Sequence, residues 1–275
     1  MNVREPQYEL VSARHSVEFW SDVRLPFEPK GTMKPARDAL RKAIRSLAMA
    51  DGSWLAAEYV SAQRDFVDVE NVLFYNVGPS AFSALVTQGL TAKRVYREPG
   101  PSPTRCQYAH YQRYKIDPIV PLTESDAVLT FKCPPLTSAT KPHEVWWVAS
   151  RGFVTMTDEV SGRYLLDVEV PGSFSLTLAA SMKPLLDGII SALHQVHELD
   201  HAAIARLSSL MHWAESEIVE RLRKPAAPIL GPRSVVRSYR KFVKWDPADD
   251  MCDGFTLRGT GNGDLCRVWV RRSDI

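Results

Sequence analysis

Two stretches of this 275-residue chain share a pattern, and a chain that repeats itself can fold in far fewer ways than one that does not. "TMKPARDALRKAI" at 32–44 and "SMKPLLDGIISAL" at 181–193 both carry Met-Lys-Pro, an aspartate three residues after the proline, and then apolar residues at helical spacing. They stand about half the chain apart. "NVGPSAF" at 76–82 and "ILGPRSVV" at 229–236 follow in the same order, and "KRVYRE" at 93–98 pairs with "CRVWVRR" at 266–272. The three pairs together predict an internal duplication. The competing reading is that proline is common in the first turn of helices, where its missing amide had no partner. Thr32 and Ser181 are then simple caps.

Local patterns predict a mixed fold. "SVEFWSDVRLPF", "NVLFYNV" and "AKRVYRE" read as strands, 34–50 as a helix and "SAFSALVTQG" as a short one. Eight prolines between 98 and 142 make that stretch a connector, with "DAVLTFKC" a strand inside it. "HEVWWVASRGFVTM" and "GRYLLDVEVPGSFSLTLAA" alternate as antiparallel strands do, which puts the rings of Trp146 and Trp147 on opposite faces. Residues 183–224 read as a long helix broken near Leu199–His201, and "GFTLRGTGNGDLCRVWVRR" as a hairpin. Strands and helices come in clusters rather than in regular alternation. The expectation is therefore an α+β fold of two diverged, pseudo-symmetric halves: residues 1–100, a proline-rich connector at 101–142, and residues 143–275.

Composition removes several classes. With 45% hydrophobic residues the chain can bury a core, and 24% charged residues do not suggest disorder. A net charge of +2 steers nucleic acid weakly, so such a partner needs a local basic patch. The four cysteines (Cys106, Cys133, Cys252, Cys266) make no disulfide scaffold, and none has the tight spacing of a zinc knuckle. The first twenty residues do not read as a signal peptide, and no apolar run is long enough to span a membrane. The expected location is cytoplasmic; the oligomeric state is open.

Three constellations carry candidate chemistry. The first is "HELDH", residues 197–201. On a helix His197 and His201 share a face, Glu198 sits beside them, and Glu217 is one of several downstream carboxylates able to complete a Zn²⁺ site. Against this, Asp200 is charged, and Leu186, Ile190 and Leu193 lead into His197 as an ordinary core edge does.

The second is "RDFVDVENVLFYNVG" at 64–78, where Asp65, Asp68, Glu70 and Asn71 lie close together. In an extended segment Asp68 and Glu70 point to one face, a site suited to Mg²⁺ and to water activation for phosphodiester hydrolysis. The plainer reading is a solvated turn. "RDFVDVENV" resembles the Asp-x-Asp-Asn signature of the RusA-like Holliday-junction endonucleases, and "KPLLDGIISALH" resembles the lysine-proline and helix portion of that family. The resemblance implies a small, dimeric, magnesium-dependent α+β enzyme, metal roles for Asp68 and Glu70, and Asp187 as a further carboxylate. It spans some 25 residues. The chain departs from the family in placing the two segments far apart and in having Glu70 where the family has aspartate.

The third is "RLRKPAAPILGPRSVVRSYRKFVKW" at 221–245. As a helix it places Arg233, Arg237, Arg240, Lys241 and Lys244 on one side, interleaved with rings, a surface for phosphates and bases. "DPADDMCDG" follows as a polar turn that pairs with these cations. The functional expectation is a nucleic-acid or protein interaction protein, with two alternatives: a divalent-metal-dependent nuclease-like hydrolase, and a zinc hydrolase.

Overall fold

The structure is a computed structural model that describes residues 7–63, 67–120, 127, 129–134, 141–156, 160, 162–171, 178–260 and 265–273. Its strands are β1 (Tyr8–Ser12), β2 (Ser16–Ser21), β3 (Ser53–Val60), β4 (Gly89–Val95), β5 (His110–Pro118), β6 (Leu129–Cys133), β7 (Phe153–Met156), β8 (Tyr164–Pro171), β9 (Val236–Tyr239), β10 (Phe242–Trp245), β11 (Cys252–Thr260) and β12 (Cys266–Arg272). The helices are α1 (Met33–Arg45), α2 (Pro142–Ala149), α3 (Leu178–Ala192), α4 (His201–Met211) and α5 (Glu215–Arg223). Ten strands form one mixed sheet in the order β1-β2-β5-β3-β4-β11-β8-β12-β6-β7, and β9 and β10 form a separate hairpin.

The expected α+β class holds. Strand alternation shows why one face of the sheet takes the helices. Leu55, Ala57 and Tyr59 of β3, Tyr114 and Ile116 of β5, and Leu166, Val168 and Val170 of β8 join a core cluster with Leu40 and Ile44 of α1 and with Leu186 and Ile190 of α3. The residues between them point the other way. There Glu58 is held between Lys93 and Arg113, Glu169 between Arg258 and Arg267, and Asp167 by Arg271. These cross-strand pairs cover the opposite face with aliphatic stems and satisfied charge.

Every neighbouring pair is antiparallel except β3·β4 and β8·β11. The pairing sense therefore reads the same from either edge, with antiparallel β4·β11 at the centre. The connections do not follow. β3 reaches β4 through a π-helical turn (Asn71–Tyr75) and a 3₁₀ turn (Pro79–Ala81), whereas β8 reaches β11 through three helices and the hairpin. Nor does the duplication read from sequence hold in its own register. The Lys34-Pro35 helix links β2 to β3, but the Lys183-Pro184 helix follows β8; "KRVYRE" begins on β4 and "CRVWVRR" is β12. Pro35 is in the first turn of α1, while Pro184 lies inside α3, which starts well before it. The shared Met-Lys-Pro marks two helices in different places.

Two short apolar runs expected as strands form helices, because such runs fit either state and packing decides. "NVLFYNV" forms the π-helical turn, burying Val72, Leu73 and Phe74. "HEVWW" forms α2, so Trp146 and Trp147 are helical neighbours; Trp146 is buried against Trp245, and Trp147 stacks on Trp213. The 101–142 segment supplies β5 and β6 to the sheet. β11 and β12 are not a hairpin, because β8 lies between them. Among the described residues, no helix is long and apolar enough to cross a membrane.

The β4·β11 seam depends on glycine. Gly89 has φ +146°, and a Cβ there would stand 2.4 Å from the Leu257 carbonyl oxygen. Gly89→Ala is expected to cost about 2 kcal/mol or more, through a backbone angle that alanine rarely adopts and a contact with no slack. Urea unfolding at neutral pH checks this; an unchanged midpoint would show that the seam can shift without loss.

Candidate metal centre

Four carboxylates from three parts of the chain converge on one ammonium. Lys183 Nζ lies 2.8 Å from Glu70 Oε1, 3.3 Å from Asp187 Oδ1, 3.3 Å from Asp249 Oδ2 and 3.7 Å from Asp68 Oδ2. Each element delivers its group for a local reason. The Asp68 carbonyl accepts the Val72 amide, and the Asn71 side-chain amide donates to the Asp68 carboxylate, so the chain turns into a helix there. Glu70 then projects from the first turn. A π-helical turn widens the backbone at this point, a distortion often found where a side chain must be aimed. Lys183 and Asp187 stand one helical turn apart on α3. Asp249 opens a 3₁₀ turn (Asp249–Met251) just ahead of β11.

The site is crowded with negative charge. Burial pushes the Glu70 carboxyl up to about 7; Lys183 opposes the rise and Asp68 adds to it. Burial does the same for Asp187, to about 7, against the pull of Lys183. Asp249 also rises to about 7, through burial and then the charge of Glu70. Burial alone would lower the Lys183 ammonium, but Glu70, Asp187 and Asp249 outweigh it and hold the proton firmly. Glu70, Asp187 and Asp249 are thus raised together towards neutrality, so the three carboxyls hold protons they can release while Lys183 stays charged.

Carboxylate oxygens of Asp68, Glu70 and Asp249 lie within 4.8 Å of one another, close enough to ligate one ion. Hard oxygen donors of this kind suit Mg²⁺, Ca²⁺ or Mn²⁺. A cavity of about 290 Å³ opens at Glu70, the one of the three that lines it, and is walled also by Phe74, Tyr75, Pro142, Lys183 and Asp187. Small residues Ala179 and Ala180 leave it room. Pro184 has no amide to offer the Ala180 carbonyl one turn back, which frees a backbone acceptor in the same wall.

Asp68, Glu70 and Asp187 are thus brought together, although not on an extended strand. Asp65 lies outside the described residues. Asp249 was not singled out from sequence: four aspartates crowd 246–253, and nothing local separates them. Asp246 pairs with Arg237 and Lys244, Asp250 with Arg233, and Asp253 is fully buried against Arg163. The expected pairing of this run with the preceding cations is present at Asp246 and Asp250, while Asp253 turns to Arg163 and Asp249 to Lys183.

The zinc geometry is not formed. His197 lies in the non-helical segment between α3 and α4, and His201 is the first residue of α4, so the two do not share a helix face. Asp200 explains the break. It is the N-cap, accepting from the Ala203 amide and also from the amide and hydroxyl of Ser238, which ties β9 to α4. Glu217 pairs with Arg221 on α5. Among the described residues, the Asp68–Glu70–Asp249 group is the one with metal-ligand proximity.

The basic stretch is a hairpin rather than a helix: Arg237 on β9 is directly opposite Lys244 on β10. Arg240, at φ +52°, and Lys241 make its turn, and Arg233 precedes it. A second, larger cavity of about 840 Å³ runs along β10 and shares Pro142 and Asp187 with the first. No protein-family model, curated protein or solved structure matches this chain.

Proposed function

We propose that this protein is a divalent-cation-dependent hydrolase of phosphodiesters, with Asp68, Glu70 and Asp249 holding the cation. The observation that carries the reading is the meeting of these three carboxylates, from two separate segments, beside an open cavity that Glu70 lines. A bound cation supplies Lewis acidity and lowers the pKa of a coordinated water. The chain's own groups do the rest. Lys183, 29% exposed in its side chain, has a flexible stem and can swing towards solvent, presenting its ammonium to a phosphate oxygen. Asp187, with its carboxyl at about 7, is suited to take or return a proton at neutral pH. The RusA-like resemblance of 64–72 and 183–194 points to the same chemistry.

An interaction protein without catalysis needs no such convergence of carboxylates, with Glu70 and Asp187 buried among them. Buried charge of one sign lowers stability and is retained where it does something.

The test is cation dependence. In protein stripped with EDTA, millimolar Mg²⁺ or Mn²⁺ is expected to raise the melting temperature and to switch on hydrolysis of bis(p-nitrophenyl) phosphate. Because the ligands must lose protons first, both responses should strengthen between pH 6 and pH 8. No thermal shift at 10 mM of either ion, together with no hydrolysis, would refute the reading.

A further inference from the structure

The β9–β10 hairpin displays an alternating face. In a two-stranded ribbon, side chains two apart share a side, and directly opposed residues share it too. Arg237 opposes Lys244, and Tyr239 opposes Phe242. All four are exposed, Tyr239 at 53% and Phe242 at 58%. The other side, Val236, Ser238, Val243 and Trp245, is turned towards α4 and the core. Large rings left in water beside cations are unusual on a surface that packs against nothing. Arg240 lies over the Tyr239 ring at 5.4 Å, and Lys241 over the Phe242 ring at 5.4 Å. Among the described residues neither cation has a carboxylate within ion-pair distance, so both charges are available.

The hairpin forms one wall of the 840 Å³ groove. Lys141, Arg206, Lys241 and Lys244 line it, with Phe242 and Trp245 among them. The groove runs into the acidic cavity at Asp187 and Pro142. On the cavity's wall is another exposed ring, Tyr75, stacked on exposed Phe27 with 4.9 Å between centroids. The sequence of chemistry along this path is ring, carboxylate cluster, cations, ring.

We infer that the substrate is a single-stranded polynucleotide, laid along the groove and over the exposed hairpin face beside it, with its bases against Phe242 in the groove, Tyr239 opposite it on that face and Tyr75, and its phosphates on Lys141, Arg206, Lys241 and Lys244. This rests on the hydrolase reading above and narrows its substrate. Rings offer every base a π face, whereas a duplex keeps its bases stacked on one another and hides them. Cations spaced along a groove complement a polyanion. The carboxylates of an acidic peptide would use the cations but offer the rings no aromatic face to stack on.

Binding measured without cutting tests this. Fluorescein-labelled twelve-residue oligothymidylate and oligouridylate, in EDTA, are expected to bind with micromolar Kd. The logarithm of affinity should fall with the logarithm of salt with a slope of about −2 to −3, for three to four phosphates neutralised. A twelve-base-pair duplex should bind at least about tenfold more weakly. Phe242→Ala and Tyr239→Ala should each weaken binding about fivefold or more, the low end of base–aromatic stacking. Lys241→Gln should weaken it and make the salt slope shallower by about 0.7. These positions are exposed, and an unchanged melting temperature confirms that each variant folds.

Equal affinity for duplex and single strand, equal affinity for oligoglutamate, or indifference to both ring substitutions would overturn the inference. The two proposals fail separately. Tight, ring-dependent binding with no cutting in Mg²⁺ leaves the groove and removes the hydrolase. Hydrolysis of bis(p-nitrophenyl) phosphate without oligonucleotide binding leaves the hydrolase and removes the groove.

Discussion

Replacing Lys183 with methionine should lower the melting temperature at pH 8 by about 6–12 °C. Among the described residues the ammonium is the one cation paired with these four carboxylates, of which Glu70 and Asp187 are buried and Asp249 nearly so. Removing one partner from a buried charge group costs about 3–5 kcal/mol, because the remaining charges stay desolvated and unpaired. Taking the lower value, and about 2–4 °C per kcal/mol for a chain of this size, gives the range above. Methionine keeps most of the stem volume, so the loss reports charge rather than a cavity.

The loss should shrink as pH falls. Glu70, Asp187 and Asp249 carry pKa values near 7 in the fold, raised from the usual carboxylate range near 4. Between about pH 4 and pH 7 the folded state therefore holds protons that the unfolded chain releases. Stability from this source is full below that window and declines as pH rises through it. Without Lys183 the carboxylates lose the compensating charge that all four share, so the decline between pH 5 and pH 8 should be larger, and most of the deficit should vanish at pH 5. Millimolar Mg²⁺ or Ca²⁺ should also restore the variant at pH 8, replacing one positive charge with two. Melting curves at pH 5 and pH 8, with and without the ion, separate the outcomes. Recovery in acid but not with cation would mean that the ammonium is a structural counter-ion and that no metal belongs there.

The cluster also shows where sequence reading succeeds and where it stops. Asp68 and Glu70 were visible because they are close in the chain, and the expectation of shared chemistry needed only that closeness. The reason offered, alternation along a strand, was not the physical one. "NVLFYNV" buries its apolar side as well in a π-helical turn as in a strand, and only the neighbouring β3 and β5 decide which. Asp187 is reached through the resemblance of 183–194 to another family, and Asp249 only as one of four aspartates in a run that reads first as a polar turn. The latter's role depends on the crossover that carries the chain from the hairpin back to β11, a long-range fact that no window contains. The same limit explains the fold. An α+β composition is legible in clustered patterns, but the placing of β5 between β2 and β3, and of β8 between β11 and β12, is set by pairing across the whole chain. Asp200 teaches the opposite lesson. Its charge within "HELDH" was a local signal against a zinc helix, and the local cause is plain: an aspartate before an apolar run starts a helix.

Asp249→Asn separates stability from function more sharply than any other single change. At pH 8 the wild-type group is charged, largely shielded from solvent and close to Glu70, and its raised pKa says that this charge is unfavourable to the fold. Asparagine keeps the shape and removes the charge, while Lys183 retains Glu70, Asp187 and Asp68 as partners. The melting temperature at pH 8 should therefore stay level or rise, and its fall between pH 5 and pH 8 should flatten. The cation response should go the other way. Loss of one of three charged ligands is expected to weaken Mg²⁺ affinity by about 100-fold or more, at least the effect of disturbing a ligand's supporting shell. Hydrolysis at 1 mM Mg²⁺ should drop by about three orders of magnitude, the equivalent of roughly 4 kcal/mol in the barrier. Asp250→Asn is the control. Its carboxylate is one residue away and faces Arg233 at 3.6 Å, outside the ligand group. A general electrostatic influence of the 246–253 run would move both variants alike; a coordinated cation requires that only the first lose its metal response while keeping its fold. If Asp249→Asn retains a normal Mg²⁺-induced thermal shift, the three carboxylates are neighbours without a shared ligand, and the shielded charge on β11's approach would need a purely structural cause.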